Sequence, residues 1–154
     1  MSNQLQTEIT MGSRLGEIAV VIERLRSDPE LLSRISGRET AFRIAMWEAL
    51  TNAIDHGNHY DASRRVYVQY SCESDDSLSI VIRDEGEGFD PTDVLIPKDT
   101  GEDRKRGIHL MTLLMDEVQF RKNGTEVYMR MTGASRSRTP EEDWQPVTQE
   151  AKEC

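Results

Sequence analysis

Glu48 and Asn52 are the two residues of this chain whose types and spacing most clearly suggest chemistry. They stand four positions apart in a helix-forming segment, so they lie one turn apart on the same helix face. A carboxylate that accepts a proton, beside an amide oxygen that ligates a hard cation, is a pairing that phosphoryl transfer uses. The same two residues are also common on the solvated face of an ordinary amphipathic helix, so the other motifs must decide between the two interpretations.

A second group of candidate residues follows a predicted strand. Leu78 to Arg83 alternates apolar and polar positions, as a half-buried strand does, and leads into an acidic segment with Asp84, Gly86 and Gly88. The two glycines allow a backbone geometry and a close approach that a side chain would prevent. Asp84 at the strand end is an acceptor that could bind the exocyclic amine of a base. The alternative is a simple acidic turn between two elements.

A basic cluster and a glycine form the third feature, at the start of an apolar helix predicted to begin at Gly107. Free N–H groups and the positive end of the helix dipole make such a helix start a phosphate site. The charged stretch from Asp90 to Arg106, with two prolines, is predicted to be a mobile loop. Four apolar residues repeat downstream at helical spacing and are predicted to pack in the core rather than to hold a cofactor: Ile108, Met111, Leu114 and Met115.

The order of these three features resembles the Bergerat-fold ATPases, the superfamily of gyrase, the histidine kinases and MutL. Glu-x-x-x-Asn-Ala at positions 48–53 precedes Asp-x-Gly-x-Gly at 84–88, and a glycine near a helix start follows at 107. Within the superfamily the chain is similar to the anti-sigma regulatory factors, which are small bacterial serine kinases. This closer similarity depends on the Asn-Ala-x-x-His-Gly run ending at Gly57 and the Leu-Met-Asp-Glu-Val segment ending at Val118. The resemblance covers about residues 5–133.

The resemblance implies ATP and Mg²⁺ as cofactors and a role for each matching residue. Glu48 matches the catalytic acid that orients or deprotonates the attacking hydroxyl, and Asn52 matches the Mg²⁺ ligand. Asp84 matches the residue that recognises adenine. The remaining matches are Gly86 and Gly88 where the lid over the nucleotide begins, Gly107 in the closing motif of that lid, and Thr125, after a predicted Asn-Gly hairpin turn, on the adenine side.

One position departs from the family pattern. The closing motif of the family usually reads Gly-x-Gly, whereas this chain has Lys105-Arg106-Gly107. Lys105, counted here among the nucleotide-binding candidates, would either add a positive charge near the triphosphate or crowd the backbone that wraps the phosphates. The sequence leaves nucleotide affinity and catalytic rate open at this point.

Composition limits the possible function classes. At 154 residues the chain is predicted to form one domain, and its net charge of −9 argues against a nucleic-acid-binding surface. No apolar run reaches the length of a membrane span, and the N-terminus lacks the layout of a signal peptide, so we expect a cytoplasmic protein. Cys72 and Cys154 offer neither a disulfide framework nor a metal-binding pair.

The elements that position these residues are predicted from periodicity and turn signals. Ser13 is expected to cap a first helix that ends at Arg26 and buries Leu15 and Ala19 with Ile18, Ile22 and Leu25. The motif helix is expected over Arg38–Asp55, with a buried stripe of Phe42, Ala45, Met46, Ala49 and Ala53. The other predicted elements are a strand at Gln4–Met11, a helical start at Asp28-Pro29, strands at Arg64–Cys72 and before Asp84, and a hairpin of Val118–Arg121 with Glu126–Met131.

These elements predict an α/β two-layer sandwich of the Bergerat type, in which a mixed, mainly antiparallel sheet has helices on one face. The domain is predicted to cover residues 1–133. Residues 134–154, rich in Ser, Thr, Pro and charge, are predicted to be a disordered tail.

The resemblance also implies partners and a reaction. A chain of this length is not expected to contain its own phosphate acceptor, so the acceptor would be a Ser or Thr of a small anti-sigma antagonist protein. The competing partner would be a sigma factor held inactive, and a homodimer is also implied. The expected reaction is in-line transfer of the ATP γ-phosphoryl group to the antagonist. Two alternatives are a regulatory module that binds partners with ATP as a structural ligand or without nucleotide, and a plain ATP hydrolase.

Overall fold

A computed structural model of the chain describes residues 6–89 and 103–133. The predictions for residues 90–102 of the lid loop, for the C-terminal tail and for the first residues of the opening strand lie outside the described residues. The described strands are β1 (Thr7–Gly12), β2 (Arg65–Cys72), β3 (Leu78–Arg83), β4 (Glu117–Arg121) and β5 (Glu126–Met131). The described α-helices are α1 (Gly16–Arg26), α2 (Pro29–Arg34), α3 (Glu39–Thr51) and α4 (Asp103–Leu114).

The sheet has the strand order β1-β2-β3-β5-β4, and all four pairings of the described strands are antiparallel. One row of paired residues crosses the whole sheet: Ile9, Val68, Ile82, Val127 and Phe120. Paired residues share a sheet face, and this row belongs to the same hydrophobic core as the buried residues of the helices. The predicted two-layer α/β sandwich is confirmed.

Helix α3 forms the centre of the helical layer. Its predicted apolar stripe is confirmed, because Phe42, Ala45, Met46 and Ala49 are all buried. The helix packs mainly against α4, and this contact brings the two predicted motif segments side by side. Within the described residues, no helix has the length and apolarity that a membrane span needs.

The beginning of α1 differs from the prediction. The helix starts at Gly16, and Ser13 does not cap it, because the buried Ser13 hydroxyl donates to Arg64 O at 2.7 Å. Leu15 is 39% exposed and Ala19 is also exposed, so neither belongs to the core. The buried stripe of the helix is formed by Ile18, Val21, Ile22 and Leu25.

The end of the motif helix also differs from the prediction. The α-helical geometry stops at Thr51, and Asn52–Gly57 forms a π-helical turn. Its wider hydrogen bonding continues to Asn58, whose N–H donates to Ala53 O at 2.8 Å, five residues back. Turns of this kind are rare and often lie at functional sites. The predicted single helix over Arg38–Asp55 is therefore wrong in its last turn.

Helix α4 begins at Asp103, four residues before the predicted start at Gly107. An acidic residue suits a helix start, and Arg104-Lys105-Arg106 are good helix formers, so the helix extends into the segment that was predicted to be a loop. The free N–H groups of the helix belong to its first four residues, and Gly107 lies inside it. The prediction that Gly107 opens the helix is wrong.

Candidate functional site

Glu48 and Asn52 meet helix α4 at the C-terminal end of α3. Gly107 lies directly over the pair: a β-carbon there would be 2.5 Å from Glu48 Oε2 and 3.8 Å from Asn52 Nδ2. A side chain at this position would have to displace the carboxylate, so glycine permits the close approach of the two helices. Three candidate residues from two distant motifs are therefore in one place.

The side chain of Asn52 carries a hydrogen-bond donor that the described residues leave unsatisfied. Its Nδ2 atom is buried and has no hydrogen-bond partner among the described residues. Such an atom costs about 1–3 kcal/mol and is uncommon in proteins unless a ligand, ion or water completes it. The oxygen and nitrogen of an amide exchange places by a half rotation, so Asn52 can present either atom. An amide oxygen beside a carboxylate is a donor set that fits Mg²⁺.

Asp84 directly follows β3, as predicted, and is held from several sides. Its N–H donates to Thr125 O at 2.9 Å, and its Oδ1 accepts the N–H of Gly86 at 2.8 Å. Gly57, at the end of the π-helical turn, packs against the carboxyl group so closely that a β-carbon there would collide with it. A β-carbon at Gly86 would likewise collide with Gly57 O. Asp84 is therefore held in one orientation at the edge of the helical layer.

The connection between β4 and β5 packs behind this segment. Phe89 N donates to Asn123 O at 2.7 Å, and a β-carbon at Gly88, whose φ is +83°, would collide with the same oxygen. The connection runs from Lys122 to Thr125, so it is longer than a two-residue Asn-Gly hairpin turn. The Thr125 hydroxyl donates to Lys122 O at 2.8 Å, so Thr125 contacts Asp84 through its carbonyl.

The structure thus arranges the candidate residues in two groups. The first contains Glu48, Asn52 and Gly107, and the second contains Asp84 and Gly86 with the Gly88 and Thr125 segments behind them. The π-helical turn joins the groups, since its first residue is Asn52 and its last is Gly57, about 7.5 Å or less away along the helix. Lys105 lies in the first turns of α4, and its side chain is outside the described part of the chain.

Sequence analysis missed Gly57 and Asn58 as members of this site. Both follow the motif helix directly, where a glycine and an asparagine are usual helix-ending residues. Gly57 contacts the Asp84 carboxyl, and the Asn58 side chain accepts the N–H of Glu85 at 2.8 Å. The only sequence signal was their place at the end of the motif, and nothing local connected them with Asp84.

Glu48 is also reached from a second side. A groove of about 370 Å³ runs between α1 and α3, and Glu48 lines it together with Ile44 and Trp47 of α3 and Ala19 of α1. Trp47 is 44% exposed, and Ile44 is 39% exposed. Glu48 therefore takes part in the contact with Gly107 and also lines an open, partly apolar groove.

Comparison of the sequence with models of known protein families identifies the family of this chain. Residues 14–131 match the family model of the histidine kinase-like ATPase domain. The match covers most of the chain, and the protein belongs to this family.

Several curated relatives of the chain are named as anti-sigma factors or as serine-protein kinases. The chain is 33% identical over 98 residues to an anti-sigma F factor of Oceanobacillus iheyensis, an alignment of 58% of this chain and 66% of that protein. It is 29% identical over 141 residues to an anti-sigma F factor of Heyndrickxia coagulans, covering 84% and 92% of the two chains. It is 31% identical over 99 residues to the serine-protein kinase RsbW of Bacillus subtilis, covering 58% and 61%. The similarity to the anti-sigma regulatory kinases is confirmed.

Proposed function

We propose that this protein is an ATP-dependent anti-sigma factor and serine/threonine protein kinase, which phosphorylates a Ser or Thr of an antagonist protein and binds a sigma factor. The names of its relatives, anti-sigma F factor and serine-protein kinase, support this class. The observation that argues most for a kinase is the position of Glu48, whose carboxylate lies against Gly107 near Asn52 and which also lines an open groove. In the proposed function, Glu48 would meet the nucleotide on the side of Asn52 and Gly107, and the acceptor hydroxyl would arrive through the groove.

In the proposed reaction, Glu48 orients the acceptor hydroxyl and accepts its proton. The hydroxyl oxygen then bonds to the γ-phosphorus of ATP, the bond from that phosphorus to the β,γ-bridging oxygen breaks, and ADP leaves. Mg²⁺, which the Asn52 amide would ligate, supplies neutralisation of the phosphate charge. Positioning of the two reactants by the groove and the site contributes much of the rate.

Asp84 would select adenine over other bases. Its carboxylate accepts hydrogen bonds and therefore favours an exocyclic amine over a carbonyl at the same position. Gly57 and Gly86 permit the close backbone packing that holds this carboxyl in place. Lys105, in the basic first turns of α4, would contribute charge toward the phosphates.

One observation favours a second candidate function. Gly107 lies so close to Glu48 and Asn52 that, in this arrangement, little space remains between α4 and α3. A chain that kept this arrangement would bind its protein partners with ATP only as a structural ligand or with no nucleotide. The Lys105 substitution in the closing motif agrees with this alternative.

Calorimetric titration of the purified protein with ATP, with and without Mg²⁺ and with GTP as the base control, tests the proposal. We expect micromolar binding that depends on Mg²⁺ and prefers adenine. Transfer is then measured with γ-labelled ATP and a serine-containing antagonist protein. Binding without transfer would favour the regulatory module, and no binding at all would favour its nucleotide-free form.

Sedimentation of the same preparation tests the homodimer that the proposed function includes. A concentration-independent monomer would remove the homodimer from the proposal and leave the nucleotide chemistry unaffected.

A further inference from the structure

Asn58 is fully buried, and its side chain bonds to three separate segments of the chain. Its Oδ1 accepts the N–H of Glu85 at 2.8 Å, and its Nδ2 donates to Arg65 O and to Ser13 Oγ, both at 3.0 Å. Glu85 N can only donate and Arg65 O can only accept, so the orientation of the amide is determined by its partners. Both amide hydrogens and the amide oxygen are satisfied.

The segment that Asn58 holds is the one that follows Asp84. Glu85 is the next residue after Asp84, so the bond from Asn58 Oδ1 restrains the peptide group that joins the two. Gly57, the residue before Asn58, packs against the Asp84 carboxyl itself. Residues 57 and 58 therefore restrain both the side chain of Asp84 and the backbone beyond it.

We infer that Asn58 is a positioning residue that sets the adenine selectivity of the site by orienting Asp84. The inference depends on the proposed function, because it requires that Asp84 recognises the exocyclic amine of adenine. Recognition of that amine is directional, so a carboxylate that turns away loses selectivity even when it remains present. Thr125 O holds the backbone N–H of Asp84, and Gly86 N holds its Oδ1 atom. Asn58 adds the restraint on the peptide group between Asp84 and Glu85, on which the direction of the side chain also depends.

Two variants separate this role from a general contribution to stability. Asn58→Ala removes the acceptor for Glu85 N, and we expect the carboxylate to lose its orientation. Ser13→Ala, the matched control, removes a hydrogen-bond partner of Asn58 on the side away from Asp84 and leaves the bond to Glu85 intact. Both should lower the stability of the protein, but only the first should alter the choice of base.

The probes are ATP and inosine triphosphate, which has a carbonyl where ATP has the amine. Dissociation constants for both are measured by calorimetry with Mg²⁺, beside urea unfolding of each variant. We expect the wild-type protein to prefer ATP by about tenfold or more, in line with the loss when a recognised donor is missing. Asn58→Ala should lose most of this preference, mainly through weaker ATP binding, and Ser13→Ala should keep it.

The wild-type titration separates failure of the proposed function from failure of the inference. A wild-type protein that binds neither nucleotide, or binds both equally, would overturn the adenine assignment of Asp84 and the inference with it. A selective wild type whose Asn58→Ala variant keeps the same preference would overturn the inference alone. An equal loss of the ATP preference in Ser13→Ala would also overturn the inference, because the loss would then result from lower stability of the protein.

A measurement on the wild-type protein avoids any folding defect of the variants. Amide hydrogen exchange at Glu85 reports opening of the Asn58 bond. If ATP binds only when Asp84 is correctly oriented, then bound ATP must in turn stabilise that orientation and the Asn58 bond. At equal saturation, ATP should therefore slow the exchange at Glu85 more than inosine triphosphate does. Equal slowing by the two nucleotides would overturn the role of Asn58.

Discussion

The two ends of helix α3 differ in how well the hydrogen bonds of their polar side chains are satisfied. Before its first turn, Arg38 donates to Asp116 Oδ2 at 2.8 Å and to Leu114 O at 3.1 Å. Asp116 Oδ2 also accepts the N–H and the hydroxyl of Thr132, at 2.7 and 2.9 Å. After its last turn, Asn52 Nδ2 is buried and finds no hydrogen-bond partner in the part of the chain that the structure describes.

This difference separates the end of the helix that stabilises the fold from the end that we propose to bind the nucleotide. The Asp116 side chain is only 7% exposed, and a buried ion pair of this kind is stable only when its other hydrogen bonds are also made. At Asn52 the protein tolerates an unmet bond that costs about 1–3 kcal/mol and that a bound ligand would satisfy. Substitutions at the two ends should therefore change different properties.

The largest expected effect is on the proposed phosphate transfer, at the end of α3 that carries Glu48. Glu48→Gln keeps the shape of the side chain but removes its ability to accept a proton, so transfer of labelled phosphate should fall by about 10²- to 10⁴-fold. ATP affinity should change little. Glu39→Gln, in the first turn of the same helix, is the control and should transfer phosphate normally. Equal turnover of the two variants would exclude Glu48 from the chemistry.

The next largest effect is on stability at the other end. Asp116→Ala leaves the Arg38 guanidinium without its charged partner, and the free energy of unfolding in urea should fall by about 3 kcal/mol. Glu23→Ala breaks an exposed pair with Arg26 at 2.8 Å and should cost less than about 1 kcal/mol. ATP affinity should be unchanged in both. A small loss in Asp116→Ala would contradict the contrast between the two ends.

Asn52→Ala should weaken ATP binding and leave the stability of the protein nearly unchanged, the opposite of Asp116→Ala. The Nδ2 atom makes no hydrogen bond to residues 6–89 or 103–133, so the free energy of unfolding should change by less than about 1 kcal/mol. The dissociation constant for ATP with Mg²⁺ should rise by about tenfold or more, as for loss of a metal-orienting group. Titration in EDTA is the control, because the two proteins should then bind alike. Unaltered affinity with Mg²⁺ would remove Asn52 from the site.

The smallest expected effect is a pH dependence of stability. Burial raises the pKa of the Asp116 carboxyl, but the hydrogen bonds from Arg38 and Thr132 outweigh it and leave the pKa below its ordinary value. The ionised Asp116 carboxylate therefore stabilises the folded protein. This contribution to the free energy of unfolding is fully present above the carboxyl's pKa in the unfolded chain, about 4, and is lost as the pH falls through its pKa in the folded protein. The difference in unfolding free energy between wild type and Asp116→Ala should narrow below that pH. A constant difference would show that the charge of Asp116 contributes little.

The sequence predicted the elements whose signal is local. The stripe from Phe42 to Ala49 and the alternation in β2 and β3 follow from the periods of a helix and a strand, and both are confirmed. The predicted cap at Ser13 was wrong because the hydroxyl bonds instead to Arg64 O, a residue far away in the chain. The start of α4 was misplaced because Gly107, which resembles a helix boundary in sequence, serves the contact with Glu48.

What the sequence by itself determined is the spacing of Glu48 and Asn52 and the place of Asp84 at the end of a strand. Both follow from the rise of a regular element, which local residues specify. Only the tertiary structure decided that Gly107 lies over the first pair and that Gly57 and Asn58 hold the segment of Asp84. These contacts depend on how α4 packs on α3 and how the π-helical turn meets β3. Such distances between distant segments are set by the packing of the whole core rather than by any local pattern.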